Sequence, residues 1–268
     1  MPDWNGLLRF LAQRYPSWRG KYRLTEYAIR HVSGKTLHTD RFGSRLLLDL
    51  DNYIDSVLFV KGEFEAEAMT ALARQAEELN CRTFIDVGAN FGLFAVFMAQ
   101  KAWCSRVHAF EPDPRNFAQL LANLFLNDLC DRVVAHPVAL SAEDGRSRFR
   151  LARARHSWDF GKFNSGMSEI ATPEAPGNGE ETVLVETRRL DGILAPAGEA
   201  IAIKIDVEGH ELEVLRGMRG MLERNRCVVL METFRERREA ALSMLGELGY
   251  KEAGGHVEPP DFLLRKDQ

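Results

Sequence analysis

The sequence has little of what marks a secreted, membrane-spanning or zinc-binding protein. Its four cysteines are scattered without C-x-x-C spacing, so neither a disulfide framework nor a zinc knuckle is expected. No apolar run approaches the roughly 18 residues that a membrane-spanning helix needs. The first residues, Met1-Pro2-Asp3-Trp4, are not a basic segment followed by an apolar one, so we expect no secretory leader. These absences predict a reduced, cytoplasmic setting.

The chain also lacks an excess of positive charge. Its 35 Lys and Arg residues face 39 Asp and Glu residues, which gives a net charge of −4. That charge is small and of the wrong sign for bulk attraction to nucleic acid or an anionic membrane, so neither is expected as a partner. With 45% hydrophobic and 28% charged residues the composition is that of an ordinary globular protein. A length of 268 residues allows one large domain or two small ones.

Strands and helices alternate from about residue 81 onward. Strands are predicted at 83–87, 106–110, 132–140, 200–207 and 227–231, with two short ones near Tyr250 and at 262–264. Helices are predicted at 64–80, 91–101, 114–128, 210–224 and 236–248. This alternation predicts an α/β fold, in which a mostly parallel sheet carries helices on both faces.

Two segments do not follow the alternation. Residues 4–30 are rich in aromatics and arginine, which suggests one or two short helices, and 45–55 has the apolar content of a strand. The aromatics at 4–27 could form the contact of a homodimer. Residues 141–199 make an interval of about 59 residues, too long for an ordinary loop between a helix and a strand, and predict a substrate cap. We therefore expect an N-terminal extension at 1–80 and one domain at 81–268.

The loop 86–92, with the sequence DVGANFG, joins the first strand of the alternation to the next helix. A dinucleotide-binding loop would have the pattern G-x-G-x-x-G, but Asn90 stands at the second glycine and Leu93 at the sixth position. The loop therefore favours a nucleoside without phosphates, such as S-adenosylmethionine. A tight turn in which Asn90 caps the helix is the alternative, and an NAD(P)-dependent oxidoreductase is the competing enzyme class.

Acidic residues follow two further strands at the same edge of the predicted sheet. Glu111 ends the second strand about 20 residues beyond the loop, where an acidic residue accepts hydrogen bonds from ribose hydroxyls. Asp206 and Glu208 follow the fourth strand, and a period of two would place them on one strand face. Glu208 and Glu211 could instead stabilise the next helix through its dipole. Glu232, at the end of the fifth strand, is a further candidate for the pocket.

With these motifs in place, the chain resembles the FkbM-family methyltransferases from about Tyr53 to Leu264. The motifs that carry the resemblance are the loop 86–92, FEP at 110–112, NSG at 164–166, KIDVEGHE at 204–211 and METF at 231–234. The family usually has a small residue where this chain has His210. The resemblance implies a single Rossmann-like class I methyltransferase domain whose seven-stranded, mostly parallel sheet ends in a C-terminal antiparallel hairpin.

The resemblance also implies a role for each matched residue. The residues implied to bind S-adenosylmethionine are Asp86, Gly88, Asn90, Gly92, Glu111, Pro112, Ala139, Leu140 and Asp206. Asn164 and Ser165, together with Glu232, are candidates for contact with the acceptor. The implied reaction is transfer of a methyl group to a hydroxyl of a sugar, a glycan precursor or a polyketide-like small molecule. A protein that binds the cofactor without catalysis is the non-enzymatic alternative.

An alcohol acceptor benefits from a base that takes its proton as the new bond forms. The candidates are Asp206, Glu208 and His210, the last because histidine titrates near neutral pH. Asp206 and Glu208 could also hold Mg²⁺ through oxygen.

Five arginines lie close together at 146–155, in the interval predicted as a cap. Arg146, Arg148 and Arg150 alternate with Phe149 and Leu151, as on the outer face of a strand. The alternative is that these arginines, with Arg153 and Arg155, recruit an anionic acceptor.

Overall fold

The fold is taken from a computed structural model, which describes residues 27, 36–41, 43–153, 162–171, 181–233, 235–254, 257 and 260–267. The helices predicted within 4–30 and the aromatic contact at 4–27 lie outside the described residues, apart from Tyr27. Arg155 and nearly all of 173–181 also lie outside them. None of the helices in the described ranges is both long and apolar enough to cross a membrane.

The described chain divides into two compact units. The smaller unit contains the described residues up to Glu65 and those from Arg153 to Ser165, and the larger contains the rest. The helix at Ala66–Glu78 packs against strands of the larger unit, whereas the sequence placed it in an N-terminal extension ending at residue 80.

The smaller unit is built on an antiparallel hairpin of β1 (Thr36–Arg41) and β2 (Ser44–Asp49), followed by helix α1 (Tyr53–Lys61). The strand predicted at 45–55 is therefore wrong beyond Asp49, because the chain turns there and begins α1. Side-chain hydrogen bonds join α1 and its N-cap to residues 162–165: Asn52 Nδ2 donates to Ser165 Oγ at 2.9 Å, and Lys162 Nζ donates to Ser56 Oγ at 2.8 Å.

The larger unit contains the alternating strands and helices that the sequence predicts from about residue 81 onward. Its helices are α2 (Ala66–Glu78), α3 (Leu93–Ala99), α4 (Pro114–Leu126), α5 (Leu190–Ile193), α6 (Glu211–Gly217), α7 (Arg219–Arg224) and α8 (Arg235–Glu247). Its strands are β3 (Thr83–Val87), β4 (Arg106–Phe110), β5 (Val133–His136), β6 (Ala139–Leu140), β7 (Gly145–Arg150), β8 (Glu169–Ile170), β9 (Thr182–Arg188), β10 (Ala200–Ile205), β11 (Arg226–Glu232), β12 (Lys251–Glu252) and β13 (Asp261–Arg265).

Seven of these strands form one sheet in the order β12-β13-β11-β10-β3-β4-β5. The five strands from β11 to β5 are parallel, and β13 pairs antiparallel with both β11 and β12, so the sheet is mixed. The α/β class predicted from the sequence is confirmed. Because β3, β4, β10 and β11 run in the same direction, the loops that follow them emerge at one edge of the sheet, where ligands bind in such folds.

The sheet is buried on both faces. Ile201, Ile203 and Ile205 of β10 join an apolar cluster with residues of α6, α7 and α8. Helices α2 and α3 contact β3, β4, β10 and β11. Lys204 alternates with the three isoleucines along β10, so it lies on the other face of the sheet, where it contacts the Phe94 ring of α3. Burial on both faces explains the continuous apolar sequences of β10 and β11.

The strand predicted at 132–140 is wrong as one element. It divides at Pro137, since proline has no N–H to continue a ladder, and β5 stays in the main sheet. Residues Ala139–Leu140 instead pair with β9 in a second sheet of order β6-β9-β7-β8. This sheet occupies much of the interval predicted as a cap, and its strands β7 and β9 pair antiparallel over six residues.

The helix predicted at 210–224 is two helices, α6 and α7, which meet at Met218. Asp191 accepts the N–H groups of Gly220 and Met221 at 2.8 and 2.7 Å, and this side-chain cap restarts the helix. Gly217 ends α6 where the chain crosses β6 closely: a Cβ there would lie 1.9 Å from the carbonyl oxygen of Ser141.

Candidate functional site

The loop 86–92 is held in a conformation that depends on its glycines. Gly88 and Gly92 have φ angles of 80° and 89°, and Asn90 has a φ of 51°, all in the left-handed region. A Cβ at Gly88 would lie 1.8 Å from the carbonyl oxygen of Asp206, so the loop touches the end of β10. Helix α3 begins after Gly92, which is its N-cap. The alternative in which Asn90 caps this helix is therefore wrong.

Glu111 connects this loop to the start of α4. Its Oε2 accepts the N–H of Asn90 at 2.7 Å, and its Oε1 accepts the N–H of Asp113 at 2.8 Å. Glu111 is buried, which raises its pKa to about 8, although the two N–H groups act in the opposite direction. Each carboxylate oxygen has a second lone pair, so the pair of oxygens can still accept from a diol.

Asp86 is the last residue but one of β3, where the loop begins, and is fully buried. Neither of its carboxylate oxygens has a well-formed hydrogen bond within the described ranges, and the same holds for Asn90 Oδ1. Burial raises the pKa of Asp86 to about 6, while the charge of Lys204 and the N–H of Ala95 lower it. A buried carboxylate without a close donor is costly unless a ligand donates to it. The loop therefore carries three acceptor atoms that suit a ligand with ammonium and hydroxyl donors.

Asp206 follows β10 at the same edge. Its N–H donates to the carbonyl of Val87 at 3.0 Å, which joins the ends of β10 and β3. Its Oδ2 accepts from Lys204 Nζ at 2.9 Å, and that Nζ also lies 4.6 Å from the centroid of the Phe94 ring. Sequence analysis missed Lys204 as a site residue. The available signal was a charged side chain inside an otherwise apolar strand.

Glu208 does not share a strand face with Asp206, as the period of two predicted. Strand β10 ends at Ile205, and Glu208 lies in a turn with a φ of 47°, a strained angle for a residue with a side chain. The two carboxyl groups nevertheless interact. Burial raises the pKa of Glu208 to about 8, and the charges of Asp206, Glu169 and Glu211 add to the effect.

This raised pKa makes stability depend on pH. An unfolded chain loses the Glu208 proton near its ordinary pKa of 4.5, whereas the folded chain keeps it to about pH 8. The contribution to stability is therefore complete below pH 4.5 and is lost as pH rises through 8. We expect Glu208→Gln to exceed wild type in free energy of unfolding by about 1–2 kcal/mol at pH 9, after allowance for partial exposure, and to match it at pH 4.

Urea denaturation at the two pH values measures this difference. The exposed Glu143→Gln is the matched control and should show the same offset from wild type at both pH values. A Glu208→Gln curve parallel to wild type between pH 4 and pH 9 would contradict the assignment.

His210 precedes α6 and is half-buried. Its Nε2 is 3.0 Å from Ser141 Oγ, and its Nδ1 is 3.9 Å from a carboxylate oxygen of Glu213. Burial lowers the pKa of His210, with Glu213 acting in the opposite direction, so the ring is neutral at physiological pH and can accept a proton. Glu211 accepts the N–H of Gly209 at 2.6 Å, a local role at the start of α6 that agrees with the helix-dipole alternative.

Other predicted residues lie in several places. Pro112 lies between Glu111 and the buried Asp113, and Glu232 ends β11 with a carboxylate oxygen within 4.8 Å of one of Asp206. Ala139 and Leu140 are buried in two different apolar clusters. Their roles at adenine, and that of Glu232 at the acceptor, stay predictions, as does Mg²⁺ at Asp206 and Glu208.

Asn164 and Ser165 belong to the smaller unit, where Ser165 pairs with Asn52. The hydroxyl of Ser165 accepts from the Asn52 side chain, and its N–H donates to Asn52 Oδ1 at 3.2 Å. These bonds give Ser165 a structural role in that unit. Its contact with an acceptor stays a prediction.

The arginines of β7 form the outer face of a strand, as the alternation predicted. Arg146 and Arg148 are exposed, whereas Phe149, which lies between Arg148 and Arg150, is buried. Arg150 forms an ion pair with Glu169. Recruitment of an anionic acceptor by these side chains stays a prediction.

The sequence of this chain is similar to that of a protein family and of several known proteins. The model of the methyltransferase FkbM domain matches residues 86–254. Methyltransferase sdnD of Sordaria araneosa is 32% identical over 50% of this chain and 59% of its own. Hexuronic acid methyltransferase AglP of Haloferax volcanii is 30% identical over 62% of this chain and 61% of its own.

A third relative, 31-O-demethyl-FK506 methyltransferase FkbM of Streptomyces tacrolimicus, is 33% identical over 50% of this chain and 58% of its own. The chain thus spans about three fifths of the length of these relatives. Since the family model covers well over half of the chain, from the Asp86 loop to the segment after α8, this protein belongs to the FkbM methyltransferase family.

Proposed function

We propose that this protein is an S-adenosylmethionine-dependent methyltransferase that methylates a hydroxyl of a sugar, a glycan precursor or a polyketide-like small molecule. The observation that carries the proposal is the meeting of Asp86, Glu111 and Asp206 at one edge of the sheet, around a glycine loop with unsatisfied acceptors. The names of the relatives support the class of acceptor: one acts on a hexuronic acid and another on demethyl-FK506.

The residues of the loop fit this cofactor. Asp86 supplies a buried carboxylate for the ammonium group of the methionine end, and Asn90 Oδ1 is a second acceptor in the same loop. Glu111 presents two oxygens to the ribose hydroxyls, and the hydrogen bonds that they accept from the N–H groups of Asn90 and Asp113 fix their orientation. Pro112, Ala139 and Leu140 are assigned to the adenine end.

When bound, S-adenosylmethionine supplies an electrophilic methyl group and a neutral thioether as the leaving group. Because the reagent carries its own leaving group, the chain has to align the acceptor oxygen and take its proton. Asp206 lies at the edge of the loop and is fixed by Lys204, while Glu208 and His210 follow it within one turn. We assign proton removal to this group of three, with Glu232 beside Asp206 on the acceptor side.

Asn90 argues against an oxidoreductase that binds its cofactor at the same loop. The close approach that a pyrophosphate needs depends on a second glycine in the loop, and this chain has Asn90 there with a side chain. A screen with NADH should therefore detect no binding.

Calorimetric titration with S-adenosylhomocysteine tests the proposal. Wild type should bind one equivalent, and Asp86→Ala should weaken binding by about tenfold or more, because the ammonium loses a charged partner. The exposed Asp131→Ala is the control and should bind like wild type. Absence of binding, or an Asp86→Ala variant equal to wild type, would contradict the proposal.

Transfer of a labelled methyl group into a cell extract distinguishes an enzyme from a binding protein. If the protein is an enzyme, wild type should give a labelled product and Asp86→Ala should give none. A protein that binds the cofactor without catalysis predicts normal binding and no labelled product.

A further inference from the structure

Lys204 is a buried cation whose surroundings extend beyond the Asp206 carboxylate that it fixes. It lies in the middle of the main sheet on β10, and its side chain is only 9% exposed. Burying an ammonium group is expensive unless partners compensate for the lost water. The ring of Phe94, 4.6 Å from Nζ, covers it on one side, and Asp206, 2.9 Å away, pairs with it on another.

Acidic residues approach Lys204 from several elements. Asp86 is its register partner on β3, so the two side chains lie side by side on one face of the sheet. Asp206 and Glu208 follow it along the chain, and Asp261 lies at the start of β13. The charge of Lys204 acts on all of these acids.

We propose that Lys204 is a positioning residue that fixes Asp206 and offsets the charge of Asp86, so that the site accepts its ligand at neutral pH. The inference rests on the proposed function, because it concerns the same cofactor site. Removal of one member of a buried charge cluster leaves the other charges uncompensated. Without Lys204, Asp86 would hold its proton to higher pH, and a smaller fraction of it would be ionised to pair with an ammonium group at neutral pH.

The electrostatic effects agree with this role. Lys204 lowers the pKa of Asp86, Glu208 and Asp261, all of which burial raises. Glu232 also belongs to the surroundings, since one of its carboxylate oxygens is within 4.8 Å of one of Asp206. Loss of a neighbouring opposite charge typically raises the pKa of a carboxyl group by about one unit or more.

The test is the pH dependence of S-adenosylhomocysteine binding, measured by calorimetry from pH 5 to 8.5. Wild type should bind more tightly as pH rises through about 6, where Asp86 ionises, and Glu111 after β4, which interacts with Asp86 and has a pKa of about 8, should add a second step at higher pH. Lys204→Met keeps the apolar length of the side chain and removes the charge, so the midpoint of its first step should lie about one pH unit higher. Lys204→Arg keeps the charge and should restore the wild-type midpoint.

Lys101→Met is the matched control. Lys101 also lies over a phenylalanine ring, 3.7 Å from the centroid of Phe97, but outside the acidic cluster. Its replacement should leave the midpoint unchanged. A Lys204→Met protein with weaker binding and the wild-type midpoint would show a packing role only and would overturn the inference.

Asp206→Asn gives a test that does not depend on the folding of Lys204→Met. The charge of Asp206 raises the pKa of Asp86, so its removal should move the midpoint to lower pH. An unchanged midpoint in Asp206→Asn would show that the charges beside Asp86 do not set it and would overturn the inference. Failure of wild type to bind at any pH would overturn both this inference and the proposed function, whereas normal wild-type binding without a shift in either variant would overturn this inference alone.

Discussion

Alanine at Gly88 is expected to abolish cofactor binding and to destabilise the larger unit. The new Cβ would lie 1.8 Å from the carbonyl oxygen and 2.9 Å from the carbonyl carbon of Asp206, and both are backbone atoms that cannot rotate away. The left-handed φ of 80° adds a second cost. We expect stability to fall by about 3 kcal/mol or more and binding of S-adenosylhomocysteine to fall by about 100-fold or more.

Gly198→Ala separates these two costs. Gly198 has a similar φ of 73°, but a Cβ there meets no atom within 4 Å. This variant should lose only about 1–2 kcal/mol of stability and no affinity. Thermal denaturation and calorimetric titration of both variants make the comparison. Equal behaviour of Gly88→Ala and Gly198→Ala would show that the approach of the loop to β10 is unimportant.

Glutamine at Glu111 is expected to have the second large effect. Both carboxylate oxygens of Glu111 accept backbone N–H groups, one from Asn90 in the loop and one from Asp113. The amide of glutamine would face one of these N–H groups with its own donor, and above pH 8 it would also lack the charge of the ionised carboxylate. At pH 9 we expect binding of S-adenosylhomocysteine to weaken by about 1.5–3 kcal/mol, the range for hydrogen bonds to a charged group.

Calorimetry again gives the result, with the exposed Glu186→Gln of β9 as the control. Loss of affinity in Glu111→Gln with an unchanged melting temperature would place the effect at the ligand. Wild-type affinity in this variant would remove Glu111 from the site.

The sequence predicted the parts of the fold that local pattern determines. Strands β3 and β4 begin and end where their apolar runs do. The loop 86–92 and Glu111 lie at the same edge of the sheet because both follow parallel strands. Their direct hydrogen bond through Asn90 is a consequence of the sheet order, with β3 beside β4.

Other features depend on contacts between distant parts of the chain. The break between α6 and α7 is produced by Asp191, which lies about 30 residues earlier in the sequence. The second sheet joins β6 to β9 across the interval predicted as a cap. Helix α1 was missed because its apolar residues continue those of β2 without a change of composition.

Within the site, the residues that touch the loop were easier to identify than those that support it. Lys204 was visible as a charge in an apolar strand, but its partner Asp86 lies on a different strand, and only the register of β10 against β3 brings them together. Glu208 was assigned to a strand face, whereas Gly209, with a φ of 93°, continues a left-handed turn that ends the strand pattern.

A crystal structure with bound S-adenosylhomocysteine tests the central claim most directly. The account predicts the ribose hydroxyls within hydrogen-bond distance of Glu111, the ammonium group beside Asp86 and the sulfur facing Asp206. A ligand bound elsewhere, or one whose ribose points away from Glu111, would contradict it.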